Sequence, residues 1–441
     1  MSLTAREDIV SWGRVVRSSM SVARPSFRDE LGSLIATATR LHPRGLLACG
    51  LRRSYGDSCI NDGGALIEMG GLDHYLSFDR RRGIIEAEAG VSLADVLNVV
   101  IPAGYFLPVT PGTKLATLGG AIANDVHGKN HHRAGTIGRW VRRLELIRTD
   151  GSVHVLEPGE PTGLFNATIG GLGLTGVISR VMLGLRPIAS SNMEAETLPF
   201  GNLSDFFALT AQSVSSHDYT VAWIDCLGTG GKFGRGIFTR AAHAADGELK
   251  VHRARGPSVP FDAPGFALNR WTIGAFNELY YRVAGRARKT VVPYDPFFYP
   301  LDGITQWNRL YGRRGFYQYQ SVIPPRDAEH VTAEMLRVIA KTGQGSFLAV
   351  LKTFGDIPSP GLLSFPMEGT TLAVDFANSA GTLALLDKLD AIVREAGGRL
   401  YPAKDGRLPP ATFEAGFPAL NRFKAHTDPG ISSTFWRRMQ A

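Results

Sequence analysis

Cysteine is scarce, with only Cys49, Cys59 and Cys226 in 441 residues. So small and odd a number excludes a disulfide framework, the spacing fits no zinc site, and a reducing compartment is expected. No apolar run is long enough to cross a bilayer. Residues 1–12 carry charges and lack an apolar leader core, so no signal peptide is expected. The reading is a cytoplasmic protein that meets a membrane, if at all, peripherally. Repeats of solenoid or propeller period are missing. So is a continuous basic stripe interleaved with aromatics, which argues against a nucleic-acid partner.

Glycine, by contrast, is abundant: 51 residues, many in short clusters, in an otherwise ordinary globular composition of 44% hydrophobic and 20% charged residues. Such clusters mark tight turns and places where backbone approaches a ligand closely. The formal charge of +8 suits an anionic partner, such as a phosphorylated substrate or a membrane surface.

Residues 1–194 read as mixed helix and strand, with strands expected at 45–51, 65–69 and 83–89. Ser92 has the character of an N-cap for a helix to Val100, with Asp95 as its capping partner. Strands at 144–147 and 153–156 flank Thr149-Asp150-Gly151-Ser152, where Asp-Gly predicts a primed hairpin turn. Residues 195–398 alternate helices with strands at 220–224, 317–323, 347–352 and 371–376. A helix over 382–397 should bury a stripe of Leu383, Leu385, Leu386, Leu389, Ile392 and Val393. The spacing over 266–289 predicts one basic amphipathic helix. It carries Leu268, Trp271, Phe276, Leu279, Tyr280 and Val283 beside Arg282, Arg286, Arg288 and Lys289. Helices of this kind lie on anionic membranes or cover a lipid-like acid. The expected architecture is α+β in two domains: 1–194, then 195–398, with 399–441 returning to the first.

Two glycine-rich segments stand out. One is Gly50-Leu51-Arg52-Arg53-Ser54-Tyr55-Gly56-Asp57. The other runs from Pro111-Gly112-Thr113 through Thr117-Leu118-Gly119-Gly120-Ala121-Ile122-Ala123-Asn124 to His127-Gly128-Lys129-Asn130-His131-His132. Small residues let several backbone N–H groups reach one diphosphate, so together the two could cradle a dinucleotide. Gly171-Leu172-Gly173-Leu174-Thr175-Gly176 fits a Rossmann fingerprint, but Val177-Ile178-Ser179-Arg180-Val181 reads as a strand where that site requires a helix.

These segments resemble the FAD-binding domain of the vanillyl-alcohol oxidase and p-cresol methylhydroxylase superfamily. The run from His127 to His132 is further similar to the superfamily's polyprenylphosphoryl-ribose 2′-oxidase branch. So are Leu363-Ser364-Phe365-Pro366, Val374-Asp375-Phe376 and Arg399-Leu400-Tyr401-Pro402-Ala403-Lys404-Asp405. The resemblance implies FAD with Gly50, Arg53, Ser54, Tyr55, Gly56 and Asp57 at its pyrophosphate. It implies Pro111, Gly112, Thr113, Thr117, Gly119, Gly120, Ala123, Asn124, His127, Gly128, Asn130 and His131 around the flavin. Gly173, Gly176, Val177, Tyr401 and Lys404 complete that site. Many members attach FAD through a histidine in the first loop; residues 52–55 offer none, so non-covalent FAD is implied.

The resemblance also implies oxidation of a sugar secondary alcohol by hydride transfer to flavin N5. The pocket would comprise Trp223, Gln318, Gln320, Lys352, Thr371 and Ala373, under a mobile lid near residues 255–300. The implied substrate is a polyprenyl-phosphate sugar, and the implied partner an NAD(P)H-dependent short-chain ketoreductase. Such oxidation needs a base for the hydroxyl proton. His127, with an ordinary pKa near working pH, and Lys404, if partly desolvated, are both candidates, and the choice stays open. Arg52 stands where close relatives have glycine; Thr371 and Ala373 stand where they have asparagine and cysteine. The exact substrate therefore stays open, and two alternatives with it: an alditol or aldonolactone oxidase using O2, and a membrane-binding protein with a vestigial flavin fold.

Overall fold

Four strands begin the chain, in the order Thr4–Val10, Arg17–Ala23, Ala65–Glu68, Leu46–Cys49, the last two pairings being parallel. The computed structural model describes residues 3–252 and 256–441. The helix Glu30–Leu41 makes the crossover, burying Leu31, Leu34, Ile35 and Ala38 at helical spacing. A five-stranded antiparallel sheet follows: Tyr75–Asp79, Ile84–Glu88, Val177–Gly184, Val141–Ile147, Val153–Leu156. Ser92 caps Leu93–Val100 as expected, its Oγ accepting from the Asp95 N–H at 3.1 Å. Val177–Gly184 is indeed a strand, which removes the Rossmann reading of the loop before it.

The hairpin forms with a different turn from the one expected. Gly151 alone has positive φ (85°), while its N–H reaches the Arg148 carbonyl and the Arg148 N–H reaches Ser152, both at 3.0 Å. This is a three-residue loop with glycine in the left-handed position. Asp150 instead turns its carboxylate onto Ser152 N and Oγ, at 2.8 and 2.6 Å.

The large sheet is wholly antiparallel, in the order Arg288–Pro293, Asn192–Phe200, Gly236–His243, Tyr219–Ile224, Ala349–Phe354, Gly369–Ala377, Phe316–Ile323, Arg399–Leu400. The fold is α+β. The strand expected at 347–352 starts two residues late, because Ser346 Oγ accepts from Leu348 N (2.9 Å) and donates to its carbonyl (2.8 Å). In the helix Thr382–Glu395, Leu385, Leu386, Leu389 and Val393 are buried, but Leu383 points outward and is exposed. The single basic helix expected over 266–289 is two elements. The helix proper is Arg270–Ala284, capped by Asn269 and stopped at Gly285. Arg288 and Lys289 belong to the edge strand, whose β-branched run Thr290-Val291-Val292 favours pairing with Asn192–Phe200. Arg255, at the start of the expected lid, lies outside the described residues.

Candidate active site

Register across the large sheet decides which side chains meet. Gln320 pairs with Ala373, Ala373 with Val350, Val350 with Trp223 and Trp223 with Ile237, so one cross-strand row forms on one face. Two residues along each strand on that face, Gln318 lies opposite Asp375 in one direction, and Lys352 opposite Thr371 in the other. This face is one wall of a cavity of about 1060 Å³. Arg53, Tyr55, Pro111, Gly112, Thr113, His127, Gly128, Lys129 and Lys404 line it from the glycine-rich side.

Three amines face this space. Burial brings Lys404 down to about 7, with Asp375 pulling it up and Lys352 pushing it down. Its Nζ lies 4.1 Å from the centre of the Tyr55 ring. Burial brings Lys352 to about 8, and Lys129, whose Nζ donates to the Phe297 carbonyl, to about 7. Asp375 is fully buried, accepting from Gln318 Nε2 at 2.7 Å and from the Tyr311 hydroxyl at 3.4 Å. Burial raises its carboxyl to about 7.

His127 does not titrate near working pH as expected. It is buried between Phe354, Phe365 and Tyr401, with ring centres 4.8, 5.6 and 5.3 Å away. Burial, then the charges of Lys352, His131 and Lys404, hold it well below the usual histidine value. The ring is therefore neutral, and Gln320 Nε2 donates to its Nε2 at 3.0 Å and to Thr371 Oγ1 at 3.2 Å.

Not every expected residue reaches the cavity. Thr371 lies behind Gln320, and Tyr401 lies behind His127, stacked on Phe365 with its hydroxyl donating to the Asn124 carbonyl. The Asp57 carboxylate is turned to Arg438, at 2.9 and 3.0 Å. Ser54, Gly56, Thr117, Gly119, Gly120, Ala123, Gly173, Gly176 and Val177 are likewise away from the cavity wall. Arg52 has φ of 49°, a left-handed conformation that glycine adopts freely, and its guanidinium pairs with Glu68 at 3.3 Å. It neither crowds the loop nor adds a free cation. Lys129, Asp375 and Trp12 were not singled out from sequence. An aspartate inside the apolar alternation of residues 371–376 was the available signal for Asp375.

The fit of a flavin cofactor can be judged from polar atoms left without partners. His127 Nδ1, Asn130 Oδ1 and both ring nitrogens of His131 are buried and have none among the described residues. Of these only His127 lines the cavity, and what that wall offers a flavin is donors for its carbonyl oxygens, from Lys129, Lys352 and Lys404. The two glycine-rich segments also touch, since a Cβ on Gly50 would fall 2.2 Å from Thr117 Oγ1. FAD fits these residues. With no histidine in residues 50–57 to tether it, acid precipitation should leave the yellow colour in the supernatant; colour in the pellet would mean a covalent link.

Comparison with known proteins agrees. The FAD binding domain family matches residues 21–157. The chain is 36% identical over 455 aligned positions to decaprenylphosphoryl-β-D-ribose oxidase of Mycolicibacterium smegmatis, covering 99% of this chain and 98% of the relative. It is 36% identical to an uncharacterised Streptomyces coelicolor protein, over 78% of this chain and 97% of that one. Similarity to L-gulonolactone oxidase 5 of Arabidopsis thaliana is 27% and spans 48% of this chain and 40% of that one. The chain thus belongs to the decaprenylphosphoryl-β-D-ribose oxidase family and is an FAD-dependent oxidoreductase.

Proposed function

We propose that the protein oxidises the 2′-hydroxyl of a polyprenylphosphoryl pentose to a ketone, with Lys404 as the proton acceptor. The observation that carries this is the Lys404 amine, brought to about 7 by burial at a cavity wall it shares with His127, Gln318, Gln320 and Lys352. FAD, when bound, supplies the hydride acceptor. The amine of Lys404 takes the hydroxyl proton, and Asp375, whose charge raises Lys404, steadies the ammonium that results. Neutral His127 and Thr371 hold the Gln320 amide nitrogen, leaving its Oε1 to accept from the hydroxyl, and Lys352 stabilises negative charge developing on the oxygen. Trp223, Phe276, Tyr280 and Leu268 give the cavity an apolar side suited to a prenyl chain. Trp271, 78% exposed, is not part of that lining. A 2′-ketone is the kind of product an NAD(P)H-dependent short-chain ketoreductase would consume.

The test is anaerobic bleaching of the flavin by a prenylphosphoryl ribose, by ribose phosphate and by free alditols. The lipid-linked sugar should bleach at the lowest concentration, each buried methylene contributing about 0.8 kcal/mol. Equal or faster bleaching by an alditol would promote the alditol oxidase reading.

A peripheral membrane contact belongs to the same proposal. No described helix is long and apolar enough to cross a membrane. Phe266, Trp271, Leu279, Val283 and Val291 are exposed, close in sequence to Arg270, Arg282, Arg286, Arg288 and Lys289. Apolar side chains among cations suit an anionic lipid surface. The protein should sediment with vesicles containing anionic lipid and less so at high salt; Trp271→Ser with Leu279→Ser should abolish it. Sedimentation unaffected by that pair would remove the contact from this face.

A further inference from the structure

Arg53 leaves the first glycine-rich loop and lies against the cavity rather than along the loop. Its Nε donates to the Leu115 carbonyl at 3.1 Å, and its guanidinium carbon lies 4.1 Å from the centre of the Trp12 ring. One nitrogen and one face are thus anchored, which fixes the direction of the fork. The two terminal nitrogens have no hydrogen-bond or carboxylate partner among the described residues. Nearby Asp302 is already engaged, accepting from Thr113 Oγ1 at 2.7 Å and from Lys114 N at 2.8 Å. Arg14, Arg235, Arg407 and Arg438 are each paired with a carboxylate, and Arg399, which has none, packs on Phe417 away from the cavity.

A pre-oriented, half-buried guanidinium with two free terminal nitrogens is a receptor for an oxyanion. Its surroundings say which one. Trp12, Leu301, Ile304 and Trp307 line the same part of the cavity, so the anion must carry an apolar substituent. Arg53 is two residues from Tyr55, whose ring underlies Lys404. In a phosphoryl pentose the phosphate is on carbon 1, next to the carbon whose hydroxyl is oxidised. We infer that Arg53 binds the phosphodiester of the lipid-linked sugar, holding carbon 2 at Lys404 while the prenyl chain runs along the cavity wall over Leu268 and Phe276. This rests on the functional reading above, and it assigns Arg53 to the substrate instead of the FAD pyrophosphate.

The experiment compares FAD-loaded wild type, Arg53→Gln and Arg53→Lys. Each is titrated anaerobically with a prenylphosphoryl ribose and with the neutral prenyl riboside of equal chain length, and flavin content is measured per polypeptide. Wild type should favour the phosphodiester by roughly 10- to 100-fold in half-saturating concentration. That ratio should fall to about one in Arg53→Gln and to an intermediate value in Arg53→Lys, which keeps the charge without the fork. Should Arg53→Gln not fold, the Arg53→Lys ratio decides: a several-fold drop supports the assignment and a wild-type ratio overturns it. An undiminished ratio in Arg53→Gln also overturns it, as does flavin loss with the ratio intact, which would return the guanidinium to the cofactor. If the phosphodiester does not bleach wild type at all, the functional reading fails first and this assignment falls with it.

Discussion

Replacing Lys404 by methionine should slow flavin reduction by the sugar about 10²–10⁴-fold, the usual contribution of a positioned proton acceptor. Methionine keeps the length that covers Tyr55 and removes only the amine, so flavin content should stay near wild type. The pH profile carries the sign. Burial lowers Lys404 to about 7, so the neutral, proton-accepting form dominates above that pH and the ammonium below it. The rate constant for flavin reduction in wild type should therefore rise through about pH 7 and level off above. Asp375, raised to about 7 by burial, titrates in the same range, so the limb belongs to the pair. Asp375→Asn removes the charge that holds Lys404 up, and should move the limb to lower pH. His127, held well below the usual histidine value, places no limb near 7. A limb that survives Lys404→Met but vanishes in His127→Gln would transfer the role of base to the histidine.

What could be read from sequence divides along physical lines. Local rules worked where the determinants were local: Ser92 with Asp95, and the strand Val177–Gly184 that disqualified the nearby fingerprint. They failed where side chains competed with backbone. Asp150 spent its carboxylate on Ser152, and Ser346 held Leu348 out of the sheet. They failed again where pairing across the sheet decided the outcome. Arg288 and Lys289 continue a helical pattern in sequence, yet a vacant edge beside Asn192–Phe200 takes them as strand. Within the site, Gln318, Gln320 and Lys352 follow from the family resemblance, and the cavity wall includes all three. Asp375 stands out in sequence as an aspartate within an apolar strand, but its partner Gln318 follows only from the register. The pKa of His127 was beyond sequence altogether, since it depends on three aromatic rings and two lysines brought from distant segments.

Gly56→Ala should be as damaging as a change in the reacting groups, although Gly56 does not line the cavity. A Cβ there would fall 1.7 Å from the Asp405 carbonyl oxygen and 2.6 Å from Gly406 Cα. Both obstacles are backbone, so no rotamer change relieves them. The segment is also pinned on both sides: Tyr55 N donates to the Ala403 carbonyl at 3.0 Å, and Asp405 accepts from Arg407 N at 2.9 Å. One chain must give way, at a cost of about 1–3 kcal/mol or more for overpacking. The chain that moves carries Lys404, next to the displaced carbonyl. A shift of about 1 Å in a reacting group can cost on the order of 10²-fold in rate. Thermal unfolding followed by flavin fluorescence should show the lower stability, and stopped-flow reduction of the flavin-loaded fraction should show the lower rate. Gly231→Ala is the matched control for folding, because a Cβ there meets nothing within 4 Å and the residue does not line the cavity. A Gly56→Ala protein with wild-type unfolding temperature and reduction rate would show that the first glycine-rich loop and the segment bearing Lys404 are not rigidly coupled, and the positioning of the base would need another source.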